Sequence, residues 1–444
     1  MAVESPATMS SAEIVALNRA HTFFSWSVQG ALDPIAIDHA EGVYLYTPEG
    51  RRILDFNSQL MSVNIGHGDR RVIDAITEQA MKLQYVQPAF ATEIRGRLGK
   101  KLAEIMPGDL DKVFFTLGGA EAIENAIKLA RHHTGRYKVL ARYRAYHGAT
   151  FGAMTLTGDP RRWANEPGLV GVVRYPDTHR YGEAEPRPAA ESLEGLEDVV
   201  RYEGPHTIAA IFLETIVGTN GILIPPDGYL QGVREICDRY GILMVADEVM
   251  AGFGRTGKWF ALDHWNVVPD LMTMAKGLTS SYLPLGAVAM RHGIAEAFES
   301  KMFFGGLTYS SHPVSLAAAL ATIRVYEEDD LVGNAARLGP VMQAHHERLA
   351  AKHPSVGAHR SLGLFGILDL VRSRDPWTPL TPFNGTSDEM KAIGKYLREH
   401  GVYAMLANNS IHTNPPLCIT EEQLAEGFEV IDAALDIADR AVTG

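Results

Sequence analysis

Two short apolar runs between Ile242 and Gly286 constrain this chain more than any other feature. The first, Ile242-Leu243-Met244-Val245-Ala246, ends on the acidic pair Asp247 and Glu248. The second, Leu271-Met272-Thr273-Met274-Ala275, ends on a lone Lys276. Short apolar runs without polar alternation fit strands buried on both faces, as in a parallel sheet covered by helices. A lysine at the end of such a run is held in a partly buried place. Burial lowers an amine's pKa and leaves it nucleophilic, and an aspartate from a neighbouring strand adds a fixed negative charge beside it.

The rest of the chain extends this rhythm. Apolar runs KVFFT, KVLARY, GVVRYP, IAAIFLET and GAVAMR alternate with longer helical or loop stretches, the pattern of an α/β domain around a largely parallel sheet. Helical spacing recurs over 71–82 and 93–105, and GVYLYTPEGRRILDF reads as a hairpin turning at Pro48-Glu49-Gly50. Beyond Thr308, strong helical patterns at 311–328 and 332–352 lead to a strand-like LFGILDL and two more helices, near 389–400 and 421–441. The resulting division is 1–70 as the N-terminal part of a small domain, 71–309 as a large domain, and 310–444 as the C-terminal part of the small one. Residues 183–193 read as a surface loop.

A formal charge of −12 excludes a nucleic-acid binder, which needs a basic face. No apolar run approaches the roughly 18–20 residues of a membrane span. Two cysteines, Cys237 and Cys418, make no disulfide framework, and no secretory signal is visible in MAVESPATMSSAE, so a cytoplasmic protein is expected. Seventeen histidines include no HExxH or other metal-ligand spacing, and no metal is expected. The His132-His133 and His345-His346 pairs read as helix-surface residues.

Three further motifs bear on chemistry. KVFFT runs through Leu117-Gly118-Gly119-Ala120 into a helix, where glycines let backbone approach a ligand and the helix N-terminus attracts an anion; a plain tight turn needs the same residues. Tyr143-Arg144-Ala145-Tyr146-His147-Gly148 follows a strand and offers an aromatic to a planar ligand, although a buried strand-end tyrosine looks the same. Gly252-Phe253-Gly254-Arg255-Thr256-Gly257 matches GxGxxG, yet an acidic pair precedes it and no helix follows, so a structured loop beside the site is the better reading. Phosphate turn, aromatic, strand-end Asp247 and isolated Lys276 together describe one pyridoxal phosphate site.

The chain resembles the class III, fold-type-I aminotransferases, the family of ω-amino acid and amine transaminases. The resemblance spans nearly the whole sequence. It rests on Asp247-Glu248-Val249 before GFGRTG with Lys276 29 residues after Asp247, on Gly42–Asp55, and on Val63-Asn64-Ile65-Gly66-His67-Gly68. It rests also on Gly118-Gly119-Ala120-Glu121, Tyr146-His147-Gly148 and Leu307-Thr308-Tyr309-Ser310-Ser311-His312-Pro313. It implies an α/β fold with a mostly parallel sheet in a large domain, and a smaller α+β domain built from both chain ends.

The family pattern implies that Lys276 holds pyridoxal 5′-phosphate covalently and shuttles the substrate proton. Asp247 would pair with the ring nitrogen, Tyr146 and Val249 would cover the ring, and His147 and Glu214 would belong to the cofactor shell. Gly118, Gly119 and Ala120 would hold the phosphate through backbone N–H groups, without the hydroxyls many relatives have there. Thr308 would reach the phosphate of a partner subunit, implying a homodimer with shared sites.

The implied reaction moves an amino group from an ω-amino acid or primary amine to a keto acid, pyruvate foremost, in two half-reactions through pyridoxamine phosphate. An aminomutase of the same fold is the alternative. HTFFSWSVQG resembles the taurine–pyruvate and ω-amino acid–pyruvate branch, which places Phe23, Phe24 and Trp26 at the substrate entrance. Met61 and Met250 stand where relatives often have tryptophan and glutamine. The mobile C-terminal arginine of many relatives is absent from Ala404–Ala407. Arg162 is therefore the first candidate for the acceptor's carboxylate, ahead of Arg161 and His412, although a solvated loop charge is its ordinary reading.

Overall fold

A computed structural model describes residues 9–443 apart from 182 and 184. All the apolar runs named above become strands of one seven-stranded sheet. Its spatial order is Leu110–Thr116, Gly286–Arg291, Leu271–Met274, Leu243–Asp247, Ile208–Glu214, Lys138–Arg142 and Val172–Tyr175. Gly286–Arg291 alone runs against its neighbours. Ile208–Glu214 is buried at every residue, as a central parallel strand covered on both faces must be. Strands that run parallel need long crossovers, and these are supplied by helices such as Gly119–Thr134, Ala189–Glu203 and Tyr229–Tyr240.

The first strand and the Lys138–Arg142 strand lie on either side of the four central ones. Successive connections from this point run in opposite directions, which opens a crevice at the carboxyl ends of the strands. Thr116, Arg142, Glu214, Asp247 and Met274 all end there.

Two smaller sheets flank the large one. The N-terminal strands His39–Glu41, Tyr44–Tyr46 and Arg52–Asp55 take a fourth strand, Val402–Tyr403, from the far end of the chain. Val356–Leu362, Phe365–Arg374, Ser410–Thr413 and Leu406–Ala407 form the other, with Trp377–Pro379 beside it. The Pro313–Glu328 helix packs on the helices Arg70–Lys82 and Glu93–Ile105. The stretch read as loop over 183–193 already turns into helix at Ala189.

One correction concerns histidine. His346 is fully buried, its Nε2 3.0 Å from Thr413 Oγ1 and its ring edge-on to Phe428. Its helix turns that face inward, and burial pulls its pKa down to about 3. His345 lies flat on Phe428 instead.

The GxGxxG segment is a buried loop that joins the chain ends to the large domain. Arg255, without exposure, donates to the carbonyls of Leu364 and Pro415, to Ser58 Oγ at 3.0 Å and to Asn64 Oδ1 at 2.9 Å. Burial among neutral acceptors pulls its guanidinium down to about 10. Gly257, at φ +85°, lies where a Cβ would come within 2.9 Å of Ala336 Cα, so only glycine fits.

Glu248 fastens the start of this loop. It accepts from Thr215 Oγ1 at 2.6 Å and from the Ala261 and Leu262 N–H groups at 3.0 Å. Thr215 thus ties the end of its strand to the acidic pair through its hydroxyl. Burial pushes the Glu248 carboxyl from its ordinary 4.5 up to about 7. A raised folded-state pKa means that this group favours the fold in acid and loses that contribution as pH climbs from 4.5 to about 7. The loss amounts to about 3 kcal/mol. The stability cost of Glu248→Gln, read by urea unfolding, is therefore expected to be about 3 kcal/mol smaller near pH 8 than near pH 5.

Candidate active site

Four strand ends and one helix start converge on a cavity of about 600 Å³. Gly119 and Ala120 open the 16-residue helix Gly119–Thr134 at its wall, and no side chain caps that helix. Its free first-turn N–H groups and dipole make an anion site. Gly118, the residue before the helix, does not line the cavity. A Cβ on Gly119 would come within 3.0 Å of Val249 Cγ1, which keeps the turn closed against the cavity wall.

Asp247 sits at the cavity floor, 5% exposed. Its Oδ2 is 2.7 Å from His147 Nδ1, and its Oδ1 accepts from Val249 N–H at 3.1 Å and Thr273 Oγ1 at 3.2 Å. His147 is itself fixed, because its N–H donates to Thr157 Oγ1 at 3.0 Å and its ring packs edge-on to Phe212. These bonds orient the carboxylate in a place where an unpaired polar group would be costly.

Lys276 follows the neighbouring strand, in which Thr273 pairs with Asp247. Its backbone is left-handed at φ +45°, a strained choice for lysine that concentrates at functional positions. The side chain opens to the cavity while the surrounding protein withdraws it from bulk water. That withdrawal pulls its pKa below the lysine range, against the opposing pull of Asp247 and Glu214. Glu214, buried and raised by its burial, accepts from the N–H groups of Tyr146 at 3.0 Å and Gly218 at 2.8 Å. It thereby sets the Tyr146 backbone at the cavity wall.

The remaining expectations separate. Trp26 and Met61 line the cavity, together with Met250 and Met405. Phe23 does not; it is 85% exposed outside it. Thr308 is at the surface, away from its own chain's cavity, and its carbonyl accepts from Tyr85 Oη at 2.7 Å. Arg162 is also outside: its Nε donates to Gly158 O at 3.1 Å and its terminal nitrogen pairs with Glu166. Arg161 takes the place assigned to it. Residues 160–165 form a 3₁₀ turn, where adjacent side chains diverge by about 120°, so only one of two consecutive arginines can face the cavity.

Arg161 lies over the Tyr146 ring, 3.7 Å from its centroid. Asp159 and Thr219 Oγ1, the latter at 3.0 Å, hold its other edge. His412 is buried beyond this cavity. Asp159, Thr219, Asn220, Phe383 and Asn384 complete the wall and were not singled out from sequence. GDPRRW, with aspartate two residues before an arginine, carried the one available signal for the Asp159–Arg161 pair.

Comparison with known proteins fits this geometry. The family model for class III aminotransferases matches residues 27–435. The putrescine–pyruvate aminotransferase of Pseudomonas aeruginosa is 34% identical over 91% of this chain and 91% of its own length. The ω-aminotransferase of Caulobacter vibrioides is 35% identical over 91% and 94%. The structure of taurine:2-oxoglutarate aminotransferase from Bifidobacterium kashiwanohense, in complex with pyridoxal phosphate and glutamate, superposes with a TM-score of 0.94. It is 38% identical and covers 98% of this chain and 99% of that one. The chain belongs to the class III aminotransferases, fold-type-I enzymes whose cofactor is pyridoxal 5′-phosphate.

The residues present suit that group: an uncapped helix N-terminus for its phosphate, a buried carboxylate for its ring nitrogen, an aromatic wall, and a depressed amine. The phosphate end lacks hydroxyls. Gly118 has extended backbone that any residue adopts, and a Cβ there would meet only Glu121 Oε2, at 3.6 Å. Gly118→Ser should therefore fit and add a hydroxyl donor at the open first turn, worth about 1 kcal/mol. Titrating the apoenzyme with pyridoxal phosphate should show a Kd lower by roughly fivefold; an unchanged Kd would show that backbone N–H groups already saturate the phosphate.

Proposed function

We propose that this aminotransferase takes its amino group from an ω-amino acid or primary amine and delivers it to a monocarboxylic keto acid, pyruvate foremost. The observation that carries this reading is the composition of one cavity. Among the described residues Arg161 is its one guanidinium, while Trp26, Leu60, Met61, Met250, Phe383 and Met405 make much of the rest apolar. One guanidinium matches one carboxylate, and the apolar walls suit a donor carbon chain.

Each residue then has a task. Bound pyridoxal phosphate supplies the electron sink that stabilises a carbanion at the substrate carbon. Lys276, its pKa lowered by burial, would hold the cofactor and would carry the proton between substrate and cofactor carbons. Asp247, held by His147, would pair with the protonated ring nitrogen. Tyr146 and Val249 would cover the ring, and Gly119 and Ala120 would hold the phosphate. Arg161 leaves Tyr146 or stays stacked on it while binding the acceptor's carboxylate, and an uncharged amine donor makes no call on it.

The active unit is proposed to be a cytoplasmic homodimer. Met81, Leu83, Tyr85, Phe90, Met302, Phe304 and Tyr309 are exposed, with the Tyr85 ring edge-on to that of Tyr309. An exposed apolar area of this kind suits an interface, and it would carry Thr308 to the partner's phosphate site. Both cysteines are free, which accords with a reducing compartment. Among the described residues no helix is long and apolar enough to cross a membrane.

An amine donor alone should bleach the visible absorption of the bound cofactor, and pyruvate should restore it. Product formed from a donor without any keto acid would contradict the reading and point to an aminomutase. Arg161→Gln should raise the KM for pyruvate by roughly 30-fold, from about 2 kcal/mol of lost charge-assisted bonding. The bleaching rate with a carboxylate-free amine should stay within about twofold of the unsubstituted enzyme's, because that donor has no group for Arg161 to bind.

A further inference from the structure

A second cavity, of about 430 Å³, lies on the far side of the Asp159–Asn220 wall, between the sheet's carboxyl edge and the smaller domain. Arg144 enters it from beyond the Lys138–Arg142 strand and Asp177 from beyond the Val172–Tyr175 strand, while Arg360, Asp369 and His412 come from the Val356–Thr413 sheet.

Most of its charge is internally satisfied. Arg360 pairs with Asp369 at 2.6 Å, and Ser410 Oγ donates to the other Asp369 oxygen at 2.6 Å. Four groups are left, one of them Arg187, whose buried Nε has no partner and whose terminal nitrogen lies 3.8 Å from Glu191. Arg144 gives one N–H to Asn220 O at 2.6 Å and has no carboxylate within ion-pair distance among the described residues. Asp177, 8% exposed, accepts from the Arg144 backbone N–H at 2.9 Å through one oxygen, and its other oxygen has no partner. His412 is fully buried with neither ring nitrogen paired.

Buried polar atoms without partners are uncommon and ask for a ligand. Burial pulls His412 down to about 4, so near neutral pH it offers one donor and one acceptor. Burial pushes the Asp177 carboxyl upward, a shift that an arriving cation reverses. The open set is therefore two guanidinium groups, Arg144 and Arg187, one carboxylate and one neutral imidazole. A simple anion would satisfy Arg144 and leave Asp177 worse placed, and a simple cation would do the opposite.

We propose that this cavity is a binding site for a free zwitterionic amino acid, its carboxylate on Arg144 and its ammonium on Asp177. The site is separate from the transamination centre, and the proposal does not depend on which donor or acceptor that centre uses. The two are joined by bonds through the shared wall, since Asn220 Nδ2 donates to Asp159 Oδ2 at 3.0 Å and Asp159 holds Arg161.

Trp163 and Trp377 line the cavity and report on it. The holoenzyme is titrated with N,N-dimethylglycine, a zwitterion whose tertiary amine cannot condense with the cofactor aldehyde, while tryptophan emission and the cofactor's visible band are followed. The expected result is saturable binding with the visible band unchanged. Binding of 3-methylbutanoate, the same shape without the ammonium, should be at least tenfold weaker. Arg144→Gln and Asp177→Asn should each weaken dimethylglycine at least tenfold with the visible band intact. No saturable signal, equal binding of 3-methylbutanoate, or a visible-band change tracking saturation would overturn the proposal. Binding unaffected by both substitutions would overturn it as well. The ligand comparison needs no variant, so misfolding of either one leaves the test decisive.

Discussion

The structure around the cavity answers to one constraint: an acidic and a basic side chain share one cavity and are both withdrawn from bulk water. An isolated buried carboxylate or ammonium is among the most expensive groups a protein can hold. The two are treated differently. His147, the Val249 N–H and Thr273 Oγ1 converge on the Asp247 carboxylate. Burial pulls the Lys276 amine below the lysine range, against the attraction of Asp247 and Glu214. A held carboxylate on the same cavity as an amine of lowered pKa suits pyridoxal phosphate chemistry.

The parallel sheet is what makes the arrangement affordable. Its strand ends place Gly119, Tyr146, Glu214, Asp247 and Lys276 around one crevice, while the strands behind them are apolar and buried. Closure comes from the chain ends. Val402–Tyr403 joins the N-terminal sheet, and Arg255 ties Ser58 and Asn64 to Leu364 and Pro415 under the cavity. That guanidinium sits among neutral acceptors, so its bonds set the position of the smaller domain without neutralising Asp247.

Much of this was legible in the amino-acid sequence. Seven apolar runs gave seven strands because buried parallel strands carry no competing pattern, and Asp247 and Lys276 declare themselves as charges ending such runs. Details set by local turns or by distant chain were not legible. Arg161 and Arg162 are indistinguishable in GDPRRW until a 3₁₀ turn aims one at Tyr146 and the other at Glu166. Phe23 and Trp26 are three residues apart, yet only Trp26 reaches the cavity. His346 looks like a surface residue until helix Glu421–Asp439 brings Phe428 over it. Thr308 lies at the surface, away from its own chain's cavity.

The central claim is that the Lys276 amine both carries the cofactor and moves the proton. Its most direct test is steady-state turnover of Lys276→Ala with a saturating amine donor and pyruvate, beside thermal unfolding to confirm the fold. Loss of the proton carrier should lower kcat by about 10³-fold or more with the melting transition retained. Full turnover by the folded variant would contradict the assignment of Lys276 and the reading of the cavity built around it.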